Sequence, residues 1–493
     1  MNALSGYSTH GTACPPYSCK RLAVLITAAA LTGATPASAA DWTLKLSMNL
    51  AESYSDNIRM AAPGRQQSDW VTQVNPGMTL DVEGPRLKLS THYQMQNQFY
   101  LINRQQNSTK HQLTANAHTE LINDQLFMDG SASIGQQAIS ALGAQALNNI
   151  NITANRADIV TLTLSPYLAH RFGSDADGEI RYTQSQFNSN AAGLANSQTG
   201  RLSLKLDSGE AFKSLGWSFN YSRQQASYSN YLRPINNENY SGNVSYQITP
   251  RFTLNAVAGY EKSDYVSIGK VPVGAIYTAG FSWEPSSRTT LQASAGQRYF
   301  GNNFSLNAKH RTRRTTWNLT YSEDITTTQA QFLANATNPA QAQAGPVNLL
   351  SNQVFLQKRL QSSVTLNGKR NTVTFTLYDA LRNAQTPQNQ NLALLGAANL
   401  ALGNNSQQLG GNLFWSSKIT PYTTANLSLG YAVNTFPGIT ATSYDRNFLF
   451  GITSQLQSKL NSHFEWRHNQ RTSNLANSDY MESALSASLM MQF

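Results

Sequence analysis

The chain has 493 residues, a formal net charge of +10 and only 13% charged residues, well below the roughly 25% of ordinary soluble domains. Its mean hydropathy is still hydrophilic at −0.39, because Asn, Gln, Ser and Thr stand where charge is missing. This suits a chain with one lipid-facing and one wet side. Both cysteines, Cys14 and Cys19, fall in the first forty residues. That excludes a disulfide framework, a thiol nucleophile and a thiolate metal site from the rest.

The first element in chain order is a targeting segment. Lys20 and Arg21 precede the apolar run "LAVLITAAALTGA", which leads into "TPASAAD". A charged start, a short apolar stretch and small residues predict a cleaved signal peptide over residues 1–40, cut after Ala39 or Ala40. The apolar run is too short to anchor in a bilayer, and no later run is longer. Export and a mature domain over 41–493 follow as expectations.

From Trp42 onward the pattern has a period of two. Trp70, Thr72, Val74, Met78, Leu80 and Val82 share one parity; after "EGPR", Leu87, Leu89, Thr91, Tyr93, Met95 and Phe99 share one too. The device recurs around "INDQ", "TPR", "PSSR" and "QSK", and no segment sustains a 3.6-residue period. Alternation of this kind predicts strands with one apolar face. Tight turns alternate with longer linkers, three of them rich in Ala, Asn and Gln: Ala138–Ala157, Thr326–Ser351 and Arg382–Asn405. The prediction is an all-β, antiparallel up-and-down transmembrane barrel of about 22 strands, within roughly 18 to 24. Short periplasmic turns, long extracellular loops and both termini in the periplasm go with it. Alternation beginning at Trp42 leaves no room for an amino-terminal plug domain. If the pore is obstructed, the external loops must do it.

Aromatics support lipid. Phe99, Tyr221, Tyr260, Tyr299, Tyr321 and Tyr431 lie near the long loops, and Trp42, Phe172, Phe252, Trp283 and Phe493 near tight turns or termini. Two belts at opposite strand ends are what interfacial girdles require. The carboxyl end "ESALSASLMMQF" places Leu485, Leu489, Met491 and Phe493 on one face. A final amphipathic strand ending in an aromatic resembles the signal read by the barrel-assembly machinery.

The opposite parity is polar, which predicts a hydrated lumen. Its candidate functional residues are charges with a basic tilt. The cations are Lys45, Lys88, Arg181, Arg201, Lys205, Arg298, Lys309, Arg311, Arg359 and Arg467; the anions are Asp81, Glu120, Asp129, Glu179, Glu261 and Glu465. They either steer anionic solutes or pair across strands and stiffen the wall. No histidine stands in a metal or nucleophile spacing: "HTE" (His118–Glu120) is the nearest match, and His463 and His468 point to opposite faces. Neither an enzyme nor a cofactor is expected, and no basic stripe suits nucleic acid.

Several stretches go beyond generic alternation. "YSDNI", "VNPGMTLDVEGPRLKLSTHYQMQNQFY", "HQLTANAHTELINDQLFMDGSASIGQQ", "GQRYFG" and "YSEDITTTQAQFL" together resemble the PEP-CTERM/exosortase-system-associated outer-membrane protein family, most densely at residues 54–137 and 296–333. The resemblance implies an outer-membrane protein linked to exopolysaccharide production and surface sorting, and it carries over no catalytic residue. The expectation is a porin-like conduit with outer-membrane lipid, anionic exopolysaccharide and periplasmic export components as partners. The alternative is a non-transporting surface barrel acting as adhesin or scaffold through its long loops.

Overall fold

The computed structural model describes residues 40–191, 194–229, 233–337, 350–387 and 405–493. The expected signal segment, save residue 40, and the middles of the two longest loops lie outside these residues. In chain order the strands are β1 (Asp41–Ser55), β2 (Asp69–Glu83), β3 (Leu87–Tyr100), β4 (Ser108–Ile122), β5 (Leu126–Ala138) and β6 (Arg156–Phe172). Next come β7 (Ala176–Ser189), β8 (Ser197–Ser208), β9 (Leu215–Tyr228), β10 (Ile235–Thr249) and β11 (Phe252–Ser263). They continue as β12 (Val273–Ser286), β13 (Thr289–Arg298), β14 (Gly301–Arg311), β15 (Thr315–Thr327) and β16 (Val354–Asn367). The last are β17 (Asn371–Ala384), β18 (Ser406–Lys418), β19 (Thr423–Phe436), β20 (Ala441–Gln457), β21 (Leu460–Ser473) and β22 (Tyr480–Gln492).

Every strand pairs antiparallel with its sequence neighbours, and β1 closes on β22 from Ser47↔Gln492 to Ser55↔Ala484. The Phe493 amide donates to the Leu46 carbonyl at 2.9 Å. The 22-stranded sheet therefore closes on itself, with only residues 41–45 of β1 running past the end of β22. Its even count puts the ends of β1 and β22 at the same rim, where the tight turns lie. Followed round one circuit, the pairing register advances by about 28 residues, which sets a strand tilt of about 44° and a backbone radius of about 21 Å. Side chains cannot fill a lumen of that width.

The two faces differ as lipid and water demand. Trp42, Leu44, Leu46 and Leu50 on β1, like Leu485, Leu489 and Met491 on β22, point outward and are largely exposed. The outer wall carries Trp70, Phe99, Tyr246, Trp283, Trp317 and Trp466 in the same state. An exposed apolar surface this extensive is sustained only in a bilayer. No helix among the described residues is long and apolar enough to cross a membrane, so the crossing is made by strands.

Two features depart from the alternation read in the sequence. A short helix, α1 (Thr328–Thr337), stands in the β15–β16 loop, where no helical period was expected. The β13–β14 connection, on the long-loop side, is only Tyr299–Phe300, followed by Gly301 at φ 129°, a backbone region that favours glycine. β14 then pairs with β15 only from Leu306↔Tyr321 to Arg311↔Thr316. Above that the ladder is replaced by a side chain, with Asn303 Nδ2 donating to the Glu323 carbonyl at 2.9 Å.

Candidate functional site: the lumen and the loops at its mouth

On the long-loop side the inward residues are not all polar, and the lumen there is not simply wet. Val71 and Tyr100 meet Ile58 and Ile150 from loops, while Ala157, Ile159 and Phe187 meet Phe332 of α1 and Leu350; all are buried. Ala141 and Leu142 pack against Phe436 and Ala441 in the same way. These inward apolar side chains are seats for loops that fold into the barrel. Parity placed them on the wet face, so the alternation alone gave no sign of them.

The β5–β6 loop (139–155) is fixed by a buried ionic network. Arg467 and Glu482 form a fully buried pair, Nη2 to Oε1 at 2.9 Å. Ser55 donates to the same carboxylate oxygen at 2.8 Å, and Asn151 of the loop donates to it at 2.7 Å. Four residues further along β21, Arg471 makes a two-pronged pair with Asp445 at 2.7 and 2.8 Å. The same guanidinium caps the loop carbonyls of Ala141, at 2.6 Å, and Gly143. Tyr100 donates to the Ile150 carbonyl at 2.8 Å, and Asn149 donates to Gln96 at 2.7 Å. A guanidinium suits this role because its planar fork can hold a carboxylate and two carbonyls at once.

α1 reaches the far wall. Phe332 lies 5.9 Å from Phe187 of β7 between ring centroids, and Gln329 Nε2 donates to the Ala195 carbonyl at 3.3 Å. Arg382 donates to Gln331 at 2.9 Å, with its guanidinium 4.7 Å from the Phe355 ring. Loop 139–155 and α1 together occupy the long-loop mouth. Beyond the strand ends, the Tyr265 and Tyr299 hydroxyls lie 2.8 Å apart, and burial pushes both phenols above the ordinary tyrosine value.

The register places each predicted charge on the inward phase, and the structure divides them by partner. Arg181 pairs with Asp129 at 2.6 Å and Glu179 at 2.8 Å, and it covers the Tyr167 ring at 3.7 Å. Phe127 stacks on Tyr167 at 5.0 Å, and His118 meets Asp129 at 2.7 Å, which extends this wall cluster over β4–β7. Arg298 bridges Glu261 and Asp324 at 2.5 and 2.9 Å. Lys205 pairs with Asp207 at 2.6 Å, and Glu465 stands within 4 Å of both His463 and Arg467. Asp81 accepts from Ser90, and Glu120 from the Asp124 amide. Among the described residues, no carboxylate lies within ion-pair reach of Lys45, Lys88, Arg201, Lys309, Arg311 or Arg359. Both readings of these charges therefore apply, to different residues: some stiffen the wall, and others stand free to set a positive field. Arg471, Asp445 and Glu482 were not singled out in the sequence: their ion pairs span only 26 and 15 residues, but the loop groups held by Arg471 and Glu482 lie more than three hundred residues earlier.

A closed antiparallel barrel with an apolar outer belt, a polar inner wall and inward-folded loops is an outer-membrane type of β-barrel. No protein-family model matches the chain, and neither does any curated protein. Among solved structures it is similar to the siderophore receptor PirA from Pseudomonas aeruginosa, at 10% identity and a TM-score of 0.47, covering 91% of this chain and 80% of that one. PirA from Acinetobacter baumannii is similar at 8% identity and 0.48, with coverages of 91% and 80%. The FrpB iron transporter from Neisseria meningitidis is similar at 10% identity and 0.39, covering 92% and 82%.

Proposed function

We propose that this protein is an outer-membrane conduit whose extracellular mouth is closed at rest by its own loops, and that it serves exopolysaccharide export or surface sorting. The observation that carries the gated reading is the buried capping of loop 139–155 by Arg467–Glu482 and Arg471–Asp445. A loop that merely decorated a scaffold would have no need to enter the lumen and be held there by charges costly to bury. The link to exopolysaccharide rests on the resemblance of residues 54–137 and 296–333 to the exosortase-associated family. The unpaired lumenal cations add support, since their field favours an acidic chain.

Loops folded into the mouth also fit a second reading, a non-transporting barrel that displays its loops. Single-channel recording in planar bilayers separates the two. For the gated conduit, the refolded protein is silent or weakly conducting, and replacing residues 140–154 by a short Gly/Ser linker produces large, steady steps with anion preference. If the trimmed barrel is demonstrably folded and stays silent, the scaffold reading stands.

A further inference from the structure

The tight-turn rim is charged unevenly, and the unevenness follows the barrel's circumference. From β10 to β21 the turns carry Arg251 at β10–β11 and Arg288 at β12–β13. Arg313 and Arg314 follow at β14–β15, and Lys369 and Arg370 at β16–β17. Lys418 ends β18, and Lys459 sits in the β20–β21 turn. All of these are exposed, and none forms an ion pair among the described residues. No residue of these tight turns is an acid; a carboxylate near this part of the rim is the exposed Glu284, two residues before the end of β12, whose amide donates to the Arg251 carbonyl at 2.7 Å. The turns from β2 to β9 are different: Arg86 and Lys213 stand among Asp124, Asp175 and Glu210.

The cationic arc continues inward. Lys309 and Arg311 lie within three residues of the β14–β15 turn, and Arg359 lies nine residues above the β16–β17 turn; all three are on the inward phase and are among the cations without a carboxylate partner. Anionic lipid surrounds the whole barrel, so attraction to lipid alone would distribute cations round the full rim. Confinement to one arc, with a continuation up the inner wall, fits a polymer that lies along the rim and turns into the lumen. Neighbouring turns on this arc are two strands apart, about 12 Å along the rim at this tilt; the long Lys and Arg side chains can bring their charges to within about 8 Å, the Debye length at physiological salt, so neighbouring fields overlap.

We infer that the arc from Arg251 to Lys459, with Lys309, Arg311 and Arg359 above it, is a loading site for a polyanionic chain with regularly spaced carboxylates, such as an acidic polysaccharide, on the periplasmic face. This rests on the conduit reading and specifies its substrate class. No step beyond binding is required of it.

The test is the binding of fluorescent alginate oligomers, with dextran of equal length as the neutral control, to the full chain in nanodiscs of zwitterionic lipid. A variant R313Q/R314Q/K369Q/R370Q removes the centre of the arc, and R86Q/K213Q removes cations from the opposite side. The inference expects alginate to bind and dextran not to. The arc variant loses most of the affinity, the opposite-side variant keeps it, and added salt weakens binding steeply. Equal binding of alginate by wild type and arc variant overturns it, as does no binding at low salt. If alginate binds only when anionic phospholipid is supplied, or phospholipid competes it away completely, the arc is a lipid contact and the inference falls. Binding does not depend on conductance. A silent trimmed barrel that still binds alginate refutes the conduit alone, and an open channel with no alginate affinity refutes the loading site alone.

Discussion

Arg467 and Glu482 are both sealed from solvent, and a buried pair of this kind is far more sensitive to losing one member than to losing both. Removing one charge leaves its partner uncompensated, at a cost of about 3–5 kcal/mol. E482Q should therefore lower the unfolding stability of the lipid-reconstituted barrel by about that amount, read as a shift in the urea midpoint. R467M/E482M should be markedly less damaged than either single change. If the double variant is as unstable as the singles, hydrogen bonding by Ser55 and Asn151 matters more than the ion pair. At this scale the sequence was legible in one respect: parity put Arg467 and Glu465 on the inner face. It could not tell a free cation from a buried anchor, because that depends on Asn151 arriving from a loop more than three hundred residues earlier.

Strands were the most legible elements, since lipid on one side and water on the other impose a strict period of two. The loops were the least. α1 lacks both an acidic first turn and a basic last turn, so nothing marked it beyond an Ala- and Gln-rich composition. What stabilises it is Phe332 seating among Phe187, Ile159 and Leu350. Substituting F332D should unseat the helix, raise single-channel conductance and leave the heat-modifiable gel mobility of the folded barrel unchanged. Unaltered conductance would show that loop 139–155 closes the mouth alone. In the same terms, R471A should free the carbonyls of Ala141 and Gly143 and make limited proteolysis within loop 139–155 faster than in wild type. Equal cleavage rates would mean that the apolar seat of Ala141 and Leu142 is sufficient to hold it.

Over the whole molecule, the field of the lumen depends on the cations that the wall does not neutralise. Reversing Arg201 and Arg359 to Glu should move the reversal potential of the trimmed, open barrel toward cation preference. Reversing Lys205 should shift it the same way, since it also leaves Asp207 without its cation. The strand number and the closed sheet were legible because tight turns and linkers alternate along the chain; the shape of the mouth was not, because it is built by contacts across the barrel. One seam stands apart from the rest. Each of the other ladders joins strands adjacent in sequence, whereas β1 and β22 bring together residues such as Ser53 and Ser486, 433 positions apart. The fold is thus a ring of local hairpins with a single long-range joint, and the joint's position along the ring is arbitrary as far as the ladder is concerned. With the Phe493 amide bonded to the Leu46 carbonyl, a short linker from residue 493 to residue 41 would let the chain be cut instead at the 287–288 turn. Such a circular permutant would keep every hairpin but β12–β13, convert the long-range closure between β22 and β1 into a local one, and impose a new long-range joint between β12 and β13.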